Sequence, residues 1–280
     1  MKPLKWDLHF HSNYSDGALS PEELADRVAD ANLDVVALTD HDTTNGIEPF
    51  RSAARNRFAV ISGCEISTNW RKRCIHIVAL DFDEQSVDLQ SLIADSVSRR
   101  EQRNVRIASL LTRELKLTED ILQLARAEAE NGEVCRPHFA KALANLGIVR
   151  DTSTAFQKWL GNGKKCAASV EWPELTEVIE AIHRAGGVAV LAHPLQYKLT
   201  RTKLNELLDD FMEANGDAVE VATPDVQPTQ VVSLIDRVTS RGLTVSGGSD
   251  YHDDSWGGKA VGSIPTLPDG TPLLIHALTD

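Results

Sequence analysis

The chain has 280 residues, a formal net charge of −12 at pH 7, 42% hydrophobic residues and 25% charged residues. These values describe a globular chain able to bury a large core, and they exclude a disordered or collagen-like polymer. The acidic balance argues against bulk binding of duplex nucleic acid, because phosphate contacts are carried by Lys and Arg.

Membrane partners are not expected either, since apolar runs such as 188–192 fall far short of the ~20 residues that cross a bilayer. The start, Met1-Lys2-Pro3-Leu4-Lys5-Trp6-Asp7, reaches an aspartate before an export-signal core could form. Cys64, Cys74, Cys135 and Cys166 show neither a CxxC pair nor zinc-ribbon spacing. They read as small buried thiols in a cytoplasmic protein.

Short β-rich runs occur at 5–10, 34–39, 59–67, 74–82, 187–192, 218–222 and 243–247. After the first, Ser20-Pro21-Glu22-Glu23 predicts a helix start, with a Ser cap, Pro in the first turn and acids against the dipole. Leu24, Val28 and Ala31 then recur at helical spacing. From 99 to 165 strand signals fade and helical patterns take over: Val105, Ala108, Leu111 and Leu115, then Ile121, Leu124 and Ala125. Helices follow at 176–185, 203–214 and 230–241, each ending near Gly before another strand. Repeated β-α-β order predicts an α/β fold with a parallel sheet, and about seven units predict closure into a barrel; an open doubly wound sheet is the alternative. The expected organisation is a barrel from 1–98 plus 166–280 and a helical insertion at 99–165. That insertion carries a net charge of +5 and the remainder −17.

Six of the nine histidines sit at or near the predicted strands. The first strand ends Asp7-Leu8-His9-Phe10-His11, followed by Ser15-Asp16-Gly17; residues two apart on a strand face one side, so His9 and His11 can grip one ion. The next motifs are Thr39-Asp40-His41-Asp42, Gly63-Cys64-Glu65, His76, His193-Pro194 and Ser249-Asp250-Tyr251-His252. A parallel barrel brings strand ends to one rim, where so many imidazoles and carboxylates without a cation would leave unpaired charge. A cluster of metal ions removes that cost.

These ordered motifs resemble the PHP (polymerase and histidinol phosphatase) superfamily from residue 7 to 252. The resemblance implies a distorted (β/α)7 barrel holding up to three divalent ions. It implies that His9, His11, Glu65 and Asp250 hold one, that a bridging Glu65 with His76 and His193 holds a second, and that Asp16, His41 and His252 hold the third. The nitrogen and oxygen donors suit Mn²⁺, with Fe²⁺ or Zn²⁺ as alternatives. Asp40 and Asp42 are expected behind the ligands, orienting imidazoles or capping the turn, and Glu220 is expected either there or in a structural role. Cys64 should point away as packing.

Such a site fits phosphoester hydrolysis by an activated water, without a Ser or Cys nucleophile. The leaving group would take a proton from a water on the ions, from His193 or from His138. Substrate selection is expected in the insertion, where Arg136 and His138 start a helix and Lys164 sits in Gly161-Asn162-Gly163-Lys164-Lys165. Arg136-Pro137-His138-Phe139-Ala140 and Lys158-Trp159-Leu160…Gly163-Lys164 resemble a branch holding nucleoside 3′,5′-bisphosphate phosphatases and a 5′→3′ oligoribonuclease. The resemblance implies a bisphosphate nucleotide or short 5′-phosphorylated RNA as substrate. This chain departs from the branch at Leu195-Gln196, where Gly-Arg is usual, and at Ala167, where an aromatic is expected. Arg99, Arg100, Arg103 and Arg106 read either as a solvated face paired with Glu101 or as a track for an RNA tail. The competing functions are a histidinol-phosphate-type or other small phosphomonoesterase and a metal-stabilised module without catalysis.

Overall fold

The computed structural model describes residues 4–224, 226–254 and 260–279; Met1, Lys2 and Pro3 of the leader reading, and 225, 255–259 and 280 of the barrel span, lie outside them. Strands β1 (Trp6–Asp7), β2 (Val35–Ala37) and β3 (Ala59–Ile61) alternate with α1 (Pro21–Asp30) and α2 (Ile47–Ala54). They pair in parallel in the order β1-β2-β3. Helix α1 starts as its sequence predicts: Ser20 and Glu23 form a capping box that satisfies two end amides. Leu24, Ala25 and Val28 of α1 pack with Phe50 of α2 and with Val36 and Leu38 beside the sheet.

The expected all-parallel barrel needs correction. The single run at 59–67 is divided: β3 pairs with β2, and the chain then enters β4 (Gly63–Trp70) of a second sheet. The change of sheet occurs where the backbone passes Leu38, and a Cβ at Gly63 would lie 2.6 Å from the Leu38 carbonyl oxygen. β4 and β5 (Arg73–Leu80) form an antiparallel hairpin whose turn residues, Arg71 and Lys72, lie in the left-handed region. No Gly or Asn marks that turn. β5 is also antiparallel to β6 (Val188–Leu191), and only β6, β7 (Ala218–Ala222) and β8 (Thr244–Gly247) continue in parallel. Among the described residues the strands thus form a three-stranded and a five-stranded ladder rather than one closed sheet. Isolated bridges Phe10–Tyr251 and His41–Glu65 tie the ladders together at one rim.

Leu8, Val35, Ala37, Val78, Leu80, Val190 and Ala218 pack between the sheets, together with Leu274 and Ile275 of the final helix. Between β5 and β6 run α3 (Val87–Leu115), α4 (Ile121–Glu128), α5 (Arg136–Asn145), α6 (Thr152–Ala155), a π-type turn (Phe156–Leu160) and α7 (Leu175–Arg184). Helix α3 begins before residue 99 and serves two cores. Leu89, Leu92 and Ile93 join the main core, whereas Ile107 and Leu111 join Ile121, Phe139 and Leu143 in a second cluster. Val105, placed on the apolar stripe by spacing, is exposed. Helices α8 (Arg201–Glu213) and α9 (Pro228–Thr239) flank the second sheet, and α10 (Leu274–Thr279) ends the described chain. No described helix is long and apolar enough to cross a membrane.

Candidate metal centre

The candidate ligands converge at the bridged rim. Beside β1, the continuing chain places His9 and His11 on one face, and His11 donates its amide to the Tyr251 carbonyl at 2.9 Å. A Cβ at Gly248 would meet the His9 Cβ at 2.2 Å, so the turn after β8 approaches β1 only through glycine. Because β5 is antiparallel, its N-terminal half, carrying His76, reaches the same rim as the C-terminal ends of β2 and β6. His193 and Asp250 sit at φ values of 27° and 50°, a costly conformation for these residue types that the surrounding hydrogen bonds maintain.

Glu65 is the hub. Its Oε1 lies 2.9 Å from both His76 Nδ1 and His193 Nε2. Its Oε2 lies 3.0 Å from His41 Nδ1, 3.2 Å from His9 Nε2 and 3.3 Å from His11 Nε2. Burial alone would raise the Glu65 carboxyl pKa, but the imidazoles of His41, His76 and His9 hold it well below the usual carboxylate range. Asp250 Oδ1 stands 3.6 Å from His11 Nε2, and Asp16 Oδ1 stands 3.4 Å from His252 Nε2 and 3.8 Å from His41 Nε2.

Four overlapping groups have donor atoms within 4.8 Å of one another: His11, Asp16, His41 and His252; His9, His193 and Asp250; His9, His11 and Glu65; His41, Glu65 and His76. All nine sequence-predicted ligands occur in at least one group. The grouping differs in detail from the expected allocation, since His193 stands with His9 and Asp250, and His41 reaches both Glu65 and Asp16. Buried atoms lacking any hydrogen-bond partner include Asp16 Oδ1, His41 Nδ1, Glu65 Oε2, His76 Nδ1 and His193 Nδ1. Orphaned nitrogen and oxygen donors in so small a volume suit divalent cations.

The surrounding residues hold these donors in place. Glu220 accepts from His9 Nδ1 at 3.1 Å and from the His193 amide at 2.8 Å, fixing two ligands from β7. Asp40 takes the Ser12 amide at 2.8 Å and the Ser12 and Ser15 hydroxyls at 2.6 Å, so it caps the His11–Asp16 turn, and Ser15 in turn lies 3.4 Å from His11 Nδ1. Asp42 accepts from the Ser67 amide and hydroxyl and pairs with Arg100. Cys64 is buried as packing, as expected, whereas Cys74 is exposed and stands 3.9 Å from His76 Nε2. Cys74 is exposed because it sits at the start of β5, next to the hairpin turn, where Arg73 is exposed as well.

A cavity of about 210 Å³ is lined by Asp16, His41, Glu65, His76, His193, Asp250 and His252, together with Arg100, Arg103 and Arg136. It adjoins a larger cavity of about 700 Å³ across Cys74, Arg103, Arg136 and Gln196. Arg136 lines both cavities. Lys164 is exposed and lines neither cavity, and the His138 Nδ1 accepts the Cys135 amide at 2.9 Å as a helix cap. Both readings of the arginine cluster also need correction: Arg100 and Arg103 are buried against the site, and Glu101 pairs with Arg126. At the two departures, Gln196 Nε2 donates to Asp250 Oδ2 at 3.1 Å, and Ala167 lines the larger cavity. Tyr197 was not singled out by sequence; its hydroxyl accepts the His76 amide at 2.9 Å.

The sequence profile of the PHP domain matches residues 7–187. The chain belongs to the PHP family. Within it, the chain is 40% identical to a 5′-3′ exoribonuclease of Haemophilus influenzae, over 89% of this chain and 90% of that protein. It is 37% identical to a 3′,5′-nucleoside bisphosphate phosphatase of Chromobacterium violaceum, over 94% and 92% of the respective lengths. A solved structure from Chromobacterium violaceum, described as an amidohydrolase with bound sulfate and no metal, superposes with a TM-score of 0.90 at 34% identity, covering 98% of this chain and 96% of that one. A candidate metal-dependent phosphoesterase from Bifidobacterium adolescentis gives 0.82 at 28% identity, covering 99% and 95%.

Proposed function

We propose that this PHP phosphoesterase hydrolyses the 3′-phosphoester of 5′-phosphorylated nucleotides, either nucleoside 3′,5′-bisphosphates or the first linkage of short RNA, and releases a 5′-mononucleotide. The observation that carries this reading is the shared cavity: seven of the nine candidate ligands, Glu65 among them, line one small space together with three guanidinium groups. A phosphate at the ligands would have cations on its far side for a second phosphate. Relatives named for such substrates, at 37% and 40% identity over most of their length, support it.

His9, His11, Asp16, His41, Glu65, His76, His193, Asp250 and His252 would hold three divalent ions, Mn²⁺ foremost, with Glu65 as the bridging ligand. Ions held there would supply an activated water and neutralise charge on the phosphoryl oxygens. Residues 99–165 would act as a cap over a body formed by 1–98 and 166–280, and Arg136 would meet the substrate. His138 does not line the cavity and His193 does, but an imidazole that holds a cation has no proton on that nitrogen to give, so His193 would serve as a ligand rather than as the acid. Among the described residues the larger cavity is lined by Lys72, Arg73, Arg103, Arg136 and Lys198 and by no carboxylate, which suits a polyanion.

The test is a turnover panel with Mn²⁺: adenosine 3′,5′-bisphosphate, RNA oligomers with 5′-phosphate or 5′-hydroxyl ends, and histidinol phosphate. The expected order places both 5′-phosphorylated classes first. Preference for histidinol phosphate, or indifference to the 5′-phosphate, would overturn the assignment.

A further inference from the structure

Between β6 and α8 the chain makes a short 3-10 turn, Pro194–Tyr197, directly after the candidate ligand His193. The turn is held at both ends. The Gln196 amide donates to the His193 carbonyl at 2.9 Å, and Leu195 and Tyr197 pack on the main core. The Tyr197 hydroxyl accepts the His76 amide at 2.9 Å, and the Tyr197 ring meets that of His193 edge-on, 5.4 Å between centres. One turn thus braces two ligands, His76 on β5 and His193 at the end of β6.

Its exposed polar side chain reaches a third. Gln196 Nε2 donates to Asp250 Oδ2 at 3.1 Å, although Asp250 belongs to the turn after β8, on the other side of β7 in the sheet. A carboxylate can only accept, so the amide presents its NH₂ group there. The other oxygen is the one near the imidazoles: Asp250 Oδ1 stands 3.6 Å from His11 Nε2 and His252 Nδ1 and 3.8 Å from His9 Nε2. The Asp250 backbone lies at φ 50°, and its amide donates to the His9 carbonyl at 2.8 Å. The main chain therefore fixes where this side chain starts. It does not fix how the carboxylate turns about its last bond, a torsion with a broad energy well.

We propose that Gln196 is a positioning residue of the metal centre: it holds Asp250 Oδ2, so that Asp250 offers a cation Oδ1 alone. Position 196 is one of the two at which this chain departs from the branch it resembles, and the donor found there is a neutral amide. An amide sets the orientation of the carboxylate and leaves its full charge to the ion, whereas a cationic donor would cancel part of that charge. The inference rests on the metal centre proposed above and not on the choice of substrate. Gln196 also lines both cavities, so contact with substrate is the competing role.

The experiment measures Mn²⁺ affinity by competition with a chelator for the full chain, Gln196→Met, Asp250→Asn and the double variant. Gln196→Met keeps the length of the side chain and loses the donor. It is expected to weaken binding of at least one ion about 10- to 100-fold, while the unfolding curve of the metal-free protein stays at wild type. Made on top of Asp250→Asn, which tolerates the left-handed backbone, the same change should cost little more; a general loosening of the turn would cost as much as before. At saturating Mn²⁺ the KM for a nucleoside 3′,5′-bisphosphate should stay near wild type. Unchanged affinity in Gln196→Met, or an equal loss with and without the Asp250 carboxylate, overturns the inference and leaves the metal centre in place; a raised KM at unchanged affinity would make Gln196 a substrate contact instead. Wild-type protein that binds no Mn²⁺ overturns the metal centre and this inference together.

Discussion

A single carboxylate organises the rim: the two oxygens of Glu65 divide five imidazoles between them. The residues behind it decide how firmly those imidazoles are aimed. Glu220 holds His9 through its ring nitrogen and His193 through its backbone, so Glu220→Gln weakens a charge-assisted bond without opening a hole. Metal affinity should fall about 10- to 100-fold, measured by competition with a chelator, while the unfolding curve of the metal-free protein stays close to wild type. Affinity equal to wild type would show that Glu220 does not position these ligands. The ligands themselves were legible because strand alternation puts His9 and His11 on one side and short motifs mark strand ends. The burial of Arg103 was not, because its ring neighbour Trp172 comes from far along the chain.

Among the elements, α3 matters most to the site. Its Arg100 reaches into the rim and pairs with Asp42, next to His41, with both side chains buried. Removing one partner of a buried pair leaves the other charge uncompensated, so Arg100→Met should cost about 3–5 kcal/mol in urea unfolding. Adding Asp42→Asn should recover part of that loss; a single variant less than about 1 kcal/mol below wild type would mean the pair is solvated in solution. Element positions were largely readable: capping and spacing placed α1, and helices at 175–184, 201–213 and 228–239 fall within a few residues of expectation. Strand direction was not readable. The β4–β5 turn uses Arg71 and Lys72 in left-handed conformations, with none of the residues that normally announce a hairpin, so a β-α-β rhythm was inferred across it.

At the scale of the molecule, the candidate ligands join chain segments from both ladders, from His9 near the first strand to His252 beyond the last. A cation bound there cross-links the two sheets, so folding and metal binding are linked. Thermal stability should rise with added Mn²⁺ and fall with a chelator, by about 2.7 kcal/mol per site when free metal is 100 times the dissociation constant. A melting temperature indifferent to both would count against a resident metal. At this rim Asp16, Glu65 and Asp250 of the expected body and Arg100, Arg103 and Arg136 of the expected insertion line one cavity. Helix α3 has a further consequence for motion. Its 29 residues include neither Gly nor Pro, and it is embedded in both cores, so it has no point at which to hinge. The aperture of the larger cavity, which shares Arg103 and Arg136 with the small one, should therefore change little when a ligand enters.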